Sequence, residues 1–234
     1  MIEPGKSLRT VRSYVVRGGR MTAGQQRAFA ELWPLFGLDF QPLLLDPARL
    51  FPGVAPLTLE IGFGNGAHLL ARAAAEPDRN FLGVEVHRPG VGAVLLAAAA
   101  GGLRNLRLIC HDAVEVLTHQ IAPGLLDELE ILFPDPWHKT RHHKRRLIQP
   151  QFLKVAAVRL RPGGTLHLAT DWQAYAEHMH EVLTGCALLE NAVPESRYAA
   201  RDANRVATRF ERRGEQLGHT VYELRWRRVI AASQ

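Results

Sequence analysis

Cysteine is scarce in this chain: Cys110 and Cys186 are the only two among 234 residues. Two cysteines make no disulfide framework, and Cys110, set in an apolar run, reads as core rather than as a nucleophile. Long apolar runs are missing too. The longest small-residue stretch, 94–102, is far too short for a bilayer and reads as a buried helix and its end. No N-terminal apolar segment has the form of a secretion signal, so the expected setting is a reducing cytoplasm with no membrane partner. Acids are absent from two places. Residues 1–27 carry Lys6, Arg9, Arg12, Arg17, Arg20 and Arg27 against Glu3 alone, with Gly5, Gly18, Gly19 and Gly24 interspersed. That stretch has little apolar periodicity and reads as a flexible basic N-terminal arm. Residues 136–146 hold five Lys/Arg and three His with no acid. His138, His142 and His143 lack Cys, Asp or Glu partners at metal-ligand spacing, which predicts no metal site. Repeats and low-complexity blocks are absent.

What is present is enough for a substantial core. Hydrophobic residues make up 47% of the chain, and the formal net charge of +6 suits a polyanionic partner. After Pro42, Pro47, Pro52 and Pro56 the chain changes character, and short apolar strands alternate with helical patterns. Strands are expected at 57–61, 81–86, 106–110, 129–133 and 164–170, and a late one at 220–226. Helices are expected at 67–75, 90–100, 113–120, 147–160 and 173–183, followed by an arginine-rich loop. This alternation implies βαβ units with right-handed crossovers: an α/β, doubly wound, mostly parallel sheet in one domain over residues 28–234.

Glu60-Ile61-Gly62-Phe63-Gly64-Asn65-Gly66-Ala67 follows the first of these strands. Glycines there let backbone approach a ligand at a helix N-terminus. Gly62, Gly64 and Ala67 fit dinucleotide spacing, whereas Gly62, Gly64 and Gly66 fit the tighter loop of S-adenosylmethionine enzymes. Glu60 helps separate the two, because a carboxylate would repel a pyrophosphate and attract a sulfonium or ammonium. Glu85 ends the second strand, where it can accept ribose hydroxyls in either reading. Asp112 ends the third, where it meets an adenine amino group or simply caps a helix.

Phe133-Pro134-Asp135-Pro136-Trp137 closes the fourth strand. Two prolines hold Asp135 in extended backbone at a strand end, where α/β enzymes place their ligands. Trp137 either stacks on an unpaired base or packs beneath the loop. Asp171, at the end of the fifth strand, either holds a base or caps the next helix.

Several segments resemble the bacterial tRNA (guanine-N7-)-methyltransferases, in the right order across most of residues 9–228. They are Glu60 to Gly66 as quoted, Gly83-Val84-Glu85-Val86-His87-Arg88-Pro89-Gly90, Phe133 to Trp137 with His138-Lys139, Ala169-Thr170-Asp171, and Thr208-Arg209-Phe210-Glu211-Arg212-Arg213-Gly214. The resemblance implies a class I methyltransferase fold with a seven-stranded sheet, S-adenosylmethionine as cofactor, and tRNA as partner, methylated at guanine N7 in the variable loop. It implies cofactor contacts at Glu60, Gly62, Gly64, Glu85, Asp112 and Asp135, and substrate contacts at Lys139, Asp171, Thr208, Arg209, Phe210 and Glu211. Arg141, His142, His143, Lys144, Arg145 and Arg146 match the family's RNA-contact segment. Thr140 and Arg209 stand where the family often has lysine.

Guanine N7 is a bare lone pair on the major-groove edge. Its methylation needs positioning and electrostatics rather than a base, and Asp135 is the expected catalytic residue for both. Arg197, Arg201, Arg205, Arg209, Arg212 and Arg213 are expected to add to the phosphate-binding track. Three other functions stay open: an amino-directed RNA methyltransferase, since Asp135-Pro136-Trp137 is similar to the Asp-Pro-Pro-Tyr loops of that group; a nicotinamide dehydrogenase, which Glu60 opposes; and a non-catalytic RNA-binding protein. With cofactor and RNA features in one short chain, a monomer or homodimer without an obligatory protein subunit is expected.

Overall fold

The computed structural model describes residues 13–14, 19–203 and 205–230. Most of the expected basic arm therefore lies outside the described residues. Its C-terminal part is helical: α1 (Ala23–Glu31) starts at a reciprocal capping box between Thr22 and Gln25. The expected boundary at residue 27 thus falls inside a helix, which packs on α5 (Arg88–Ala100) through Gln25 Nε2 donating to the Pro89 carbonyl at 2.9 Å.

The sheet has eight strands, not seven. They are β1 (Gly37–Leu38), β2 (Leu57–Ile61), β3 (Asn80–Val84), β4 (Leu106–Ile109), β5 (Leu126–Leu132), β6 (Leu160–Thr170), β7 (Leu189–Asn191) and β8 (Tyr222–Arg228), in the order β1-β4-β3-β2-β5-β6-β8-β7. The first six in that order run parallel, and β8 pairs antiparallel with β6 and β7. Two strands, β1 and the three-residue β7, have no counterpart among the expected ones, and β1 is two residues long. Only its pairing with β4 makes it a strand, and so short a segment carries no alternation to read.

The remaining expected helices form as α4 (Ala67–Ala75), α6 (Ala113–His119), α7 (Pro150–Arg159) and α8 (Gln173–Thr184). Two four-residue helices, α2 (Trp33–Phe36) and α3 (Pro47–Leu50), lead into the sheet. The expected arginine-rich loop contains a further helix, α9 (Arg209–Gln216).

The two faces of the sheet are covered differently. One core joins Leu59, Ile61, Leu129, Ile131, Leu166, Leu168 and Leu224 to α6, α7 and α8. The other joins Phe81, Leu106 and Leu108 to α1, α4 and α5, and takes nothing from β5, β6 or β8. On that second face, β5, β6 and β8 present Glu130, His167 and Glu223, all buried. Register aligns Glu60 with Glu130 and Glu130 with His167, so ionisable side chains form a row across adjacent strands.

Candidate active site

The glycine loop leaves β2 with φ of 75°, 57° and 72° at Gly62, Gly64 and Gly66, a backbone that only glycine adopts cheaply. A Cβ at Gly66 would lie 2.2 Å from Val94, whereas Gly62 and Gly64 face open space. Gly90 sits beneath the loop, and a Cβ there would lie 2.2 Å from the Gly64 carbonyl. Glu85 braces the loop from the end of β3. Its Oε2 accepts from Gly64 N at 2.9 Å, and its Oε1 from Val86 N at 2.7 Å and His87 N at 2.9 Å. Asp112 Oδ1 accepts from Val114 N at 2.8 Å and Glu115 N at 3.3 Å, so helix capping, left open by the sequence, is its structural role.

Glu60 does not line an open surface. Its side chain is buried with Oε2 unpartnered, and it points into the sheet beside His68 and Glu130. Burial first, then the charge of Glu130, raises its pKa well above the usual carboxylate value. Glu130 behaves oppositely. Burial alone would raise its pKa, but hydrogen bonds from His167 and His68 and the charge of Arg72 carry it below the ordinary value. Glu60, His68 and Glu130 bring possible metal-ligating atoms within 4.8 Å, a cluster the sequence reading missed. Two of its three members are engaged with protein groups: Arg72 lies 3.0 Å from Glu130, and both nitrogens of His68 make hydrogen bonds.

The loop after β5 is strained. Phe133 and Trp137 have φ of 53° and 48°, which bulky side chains rarely adopt, and they bracket the two prolines that hold Asp135. Phe133 N donates to the Ala169 carbonyl at 2.8 Å, which anchors the loop to β6. Asp135 is exposed at the carboxyl end of the parallel strands. Trp137 is packed rather than free. Its Nε1 donates to the Ser13 carbonyl at 3.1 Å, and the Arg145 guanidinium lies 3.9 Å over its ring.

The basic segment divides. Lys139, Arg141 and Lys144 are exposed on or beside a 3-10 helix (Thr140–Arg145), with His142, His143 and Arg145 half-buried. Arg146 is buried, donates to the Pro136 carbonyl at 3.0 Å and lies 4.8 Å over the Tyr175 ring. It supports the Asp135 loop from below and leaves the expected RNA track.

Asp171 is not a helix cap, since the N-cap of α8 is Trp172 and makes no side-chain bond. Asp171 faces His219 at 3.3 Å and Gly214, where a Cβ would lie 2.7 Å from its Oδ2. Beside it, Trp172, Glu177, His219 and Tyr222 line an open groove of about 430 Å³.

Thr208 and Glu211 are occupied with each other. Thr208 Oγ1 accepts from Glu211 N at 3.1 Å, and Thr208 N donates to Glu211 Oε2 at 3.3 Å, which makes a capping box for α9. The spacing Thr-x-x-Glu carries that signal in the sequence itself. Arg205 is buried against Glu211 and Glu223, so it too leaves the expected phosphate track. The backbones of Arg209 and Phe210 form the first turn of α9.

A family model described as a putative methyltransferase matches residues 54–224. A tRNA (guanine-N(7)-)-methyltransferase of Aeromonas hydrophila is 52% identical over 97% of this chain and 96% of its own length. One of Klebsiella pneumoniae is 50% identical over 97% and 95%. The chain belongs to the tRNA (guanine-N7-)-methyltransferase family. Among solved structures, the 16S rRNA methyltransferase KamB superimposes with a TM-score of 0.58 at 19% identity, covering 80% of this chain and 95% of that one. A 16S rRNA (adenine(1408)-N(1))-methyltransferase from Catenulisporales acidiphilia, solved with its cosubstrate, gives 0.54 at 21%, covering 81% and 94%. These likenesses establish the class I methyltransferase fold of the family.

Among the described residues no helix is long and apolar enough to cross a membrane. Cys110 and Cys186 are both free thiols, and burial raises the Cys110 pKa.

Proposed function

We propose that this chain transfers a methyl group from S-adenosylmethionine to N7 of a guanine in the variable loop of tRNA, in the cytoplasm and without an accessory subunit. The observation that carries the reading is the pairing of an acid-braced glycine loop with an exposed aspartate on a strained loop, in a chain about half identical to tRNA (guanine-N7-)-methyltransferases.

Glu60 and Glu85 suit a cationic donor that lacks phosphate. The buried oxygen of Glu60 has no partner, and the Glu85 carboxylate, held by three backbone amides, has lone pairs left for hydroxyl donors. Gly62 and Gly64 leave room for that ligand, and Asp112 flanks it at the end of β4. When bound, S-adenosylmethionine supplies a methyl group on positively charged sulfur. Guanine N7 bears no proton, so the chain has none to remove there. Asp135 accepts from the guanine N1–H and N2 amino group, and its charge favours the cationic 7-methylguanine as it forms. Lys139, Arg141 and Lys144 bind phosphate, and Asp171 helps to orient the base.

Purified protein incubated with labelled S-adenosylmethionine and bulk tRNA tests this reading. The expected outcome is label in tRNA that N7-specific chain cleavage and mass spectrometry map to a variable-loop guanine. Label on an exocyclic amino group, or none, would overturn it.

A further inference from the structure

Arg205 lies in the segment between β7 and α9, on the second face of the sheet, whose apolar core takes nothing from β5, β6 or β8. Its side chain is fully buried. Its Nη1 and Nη2 donate to the two oxygens of Glu211, the latter at 2.6 Å, and its Nε donates to Glu223 at 2.8 Å. From Glu223 the bonds continue across the sheet. His167 Nε2 meets Glu223 at 2.9 Å, His167 Nδ1 meets Glu130 at 3.3 Å, and Glu130 meets His68 Nε2 at 3.2 Å. His68 Nδ1 then accepts from Val206 N at 3.3 Å, next in the chain to Arg205. The path is closed: it begins at Arg205, crosses β8, β6, β5 and α4, and returns at Val206.

Three loops meet on this ring. Arg205 fixes Glu211, the acid of the α9 capping box, whose cap residue is Thr208. Its guanidinium also lies 5.5 Å over the Phe133 ring, at the base of the Asp135 loop. His68 belongs to α4, which the glycine loop starts. An exposed arginine tracking phosphate would have none of these bonds.

We infer that Arg205 is a positioning residue for methyl transfer: through Glu211 and Phe133 it holds the 208–211 segment and the Asp135 loop in one arrangement, and it does so without touching tRNA. This rests on the proposed tRNA methylation. A planar guanidinium fork meets two carboxylates at once, which a lysine ammonium cannot reproduce. Loss of the fork leaves the cofactor side, held by backbone amides at Glu85, in place.

The test is Arg205→Lys in the full chain, with Glu223→Gln as a milder second variant that keeps side-chain shape. The readouts are tRNA kcat and KM, S-adenosylmethionine Kd by calorimetry, and hydrogen exchange by mass spectrometry. For Arg205→Lys, tRNA turnover falls roughly 100-fold, as misplacement by about 1 Å allows. S-adenosylmethionine Kd stays within about threefold, and exchange quickens over residues 201–216 but not over 67–75. Glu223→Gln gives the same pattern, smaller. Unchanged tRNA turnover, or a parallel loss of cofactor affinity, would overturn the inference. So would unchanged exchange over 201–216, a readout that holds even if wild-type protein methylates something other than tRNA N7.

Discussion

Glu85 and Asp112 are held by backbone amides, whereas Glu211, Glu223 and Asp202 are held by guanidinium groups. Glu85 takes three backbone N–H groups and Asp112 two. Glu211 and Glu223 are held by Arg205, with Arg201 also on Glu211, and Asp202 pairs with Arg225. Amide-held acids sit at strand ends and helix starts, and most of their partners are close in the chain. Guanidinium-held acids tie the segment before α9 to that helix and to β8. The first kind of site is a product of secondary structure, whereas the second exists only when the segment before α9 docks on β8. Catalysis, in the proposed reading, happens where they meet, at the strained loop that carries Asp135.

Four experiments probe that division, the largest effect first. Asp135→Asn keeps shape and removes charge. We expect kcat on tRNA to fall roughly 100- to 1000-fold, as for the loss of one electrostatic stabiliser, with S-adenosylmethionine Kd by calorimetry within about threefold. Wild-type turnover would remove Asp135 from the chemistry. Glu85→Gln weakens charge-assisted bonds to the glycine loop. Cofactor Kd should rise on the order of 10-fold, about 1.4 kcal/mol, with tRNA KM unchanged; an equal rise in both constants would erase the distinction between the two sides.

Arg146 and Lys144 give a contrast within one basic segment. Arg146→Ala should cost about 1–3 kcal/mol in urea unfolding by stranding the groups it serves. Lys144→Ala should leave stability alone and lower the salt slope of tRNA binding by about one. Salt-sensitive binding lost equally in both would return Arg146 to the RNA track. The smallest effect concerns pH. Burial alone would lower the His167 pKa, but hydrogen bonds to Glu130 and Glu223 raise it above 6.5. A raised pKa means that the folded protein holds the proton more tightly. The stabilisation is therefore full below about pH 6.5 and fades as pH rises through the folded value. Glu60, also raised, adds a decline of the same sign from lower pH. Urea midpoints measured from pH 6 to 9 should fall in wild type and fall less in Glu223→Gln, which removes one partner of His167. Parallel curves would show that this histidine does not set the slope.

The reach of the sequence follows the same boundary. All six expected strands and every expected helix of the βα units were readable, to within a few residues at their ends, because apolar runs, glycines and capping residues act over a few positions. For the same reason the glycine turn follows β2 and Asp112 opens α6 where expected, and Asp112 caps that helix. The late strand appeared two residues further on, at Tyr222–Arg228. The two-residue β1 was invisible because pairing, not pattern, defines it. Arg146 and Arg205, both buried, were expected on the phosphate track because a charged residue beside other charges gives no local sign of burial. Four ionisable residues, Glu60, Glu130, His167 and Glu223, each inside an apolar strand, were the available hint that polar groups meet inside the sheet.

Local spacing determined the α/β alternation, the glycine turn and the proline-locked aspartate, since φ preferences and side-chain periods are properties of a few consecutive residues. Tertiary structure alone decided which charges face water and which face one another. A carboxylate can stay buried only if a partner reaches it, and for Glu130 those partners, His68, Arg72 and His167, arrive from distant parts of the chain.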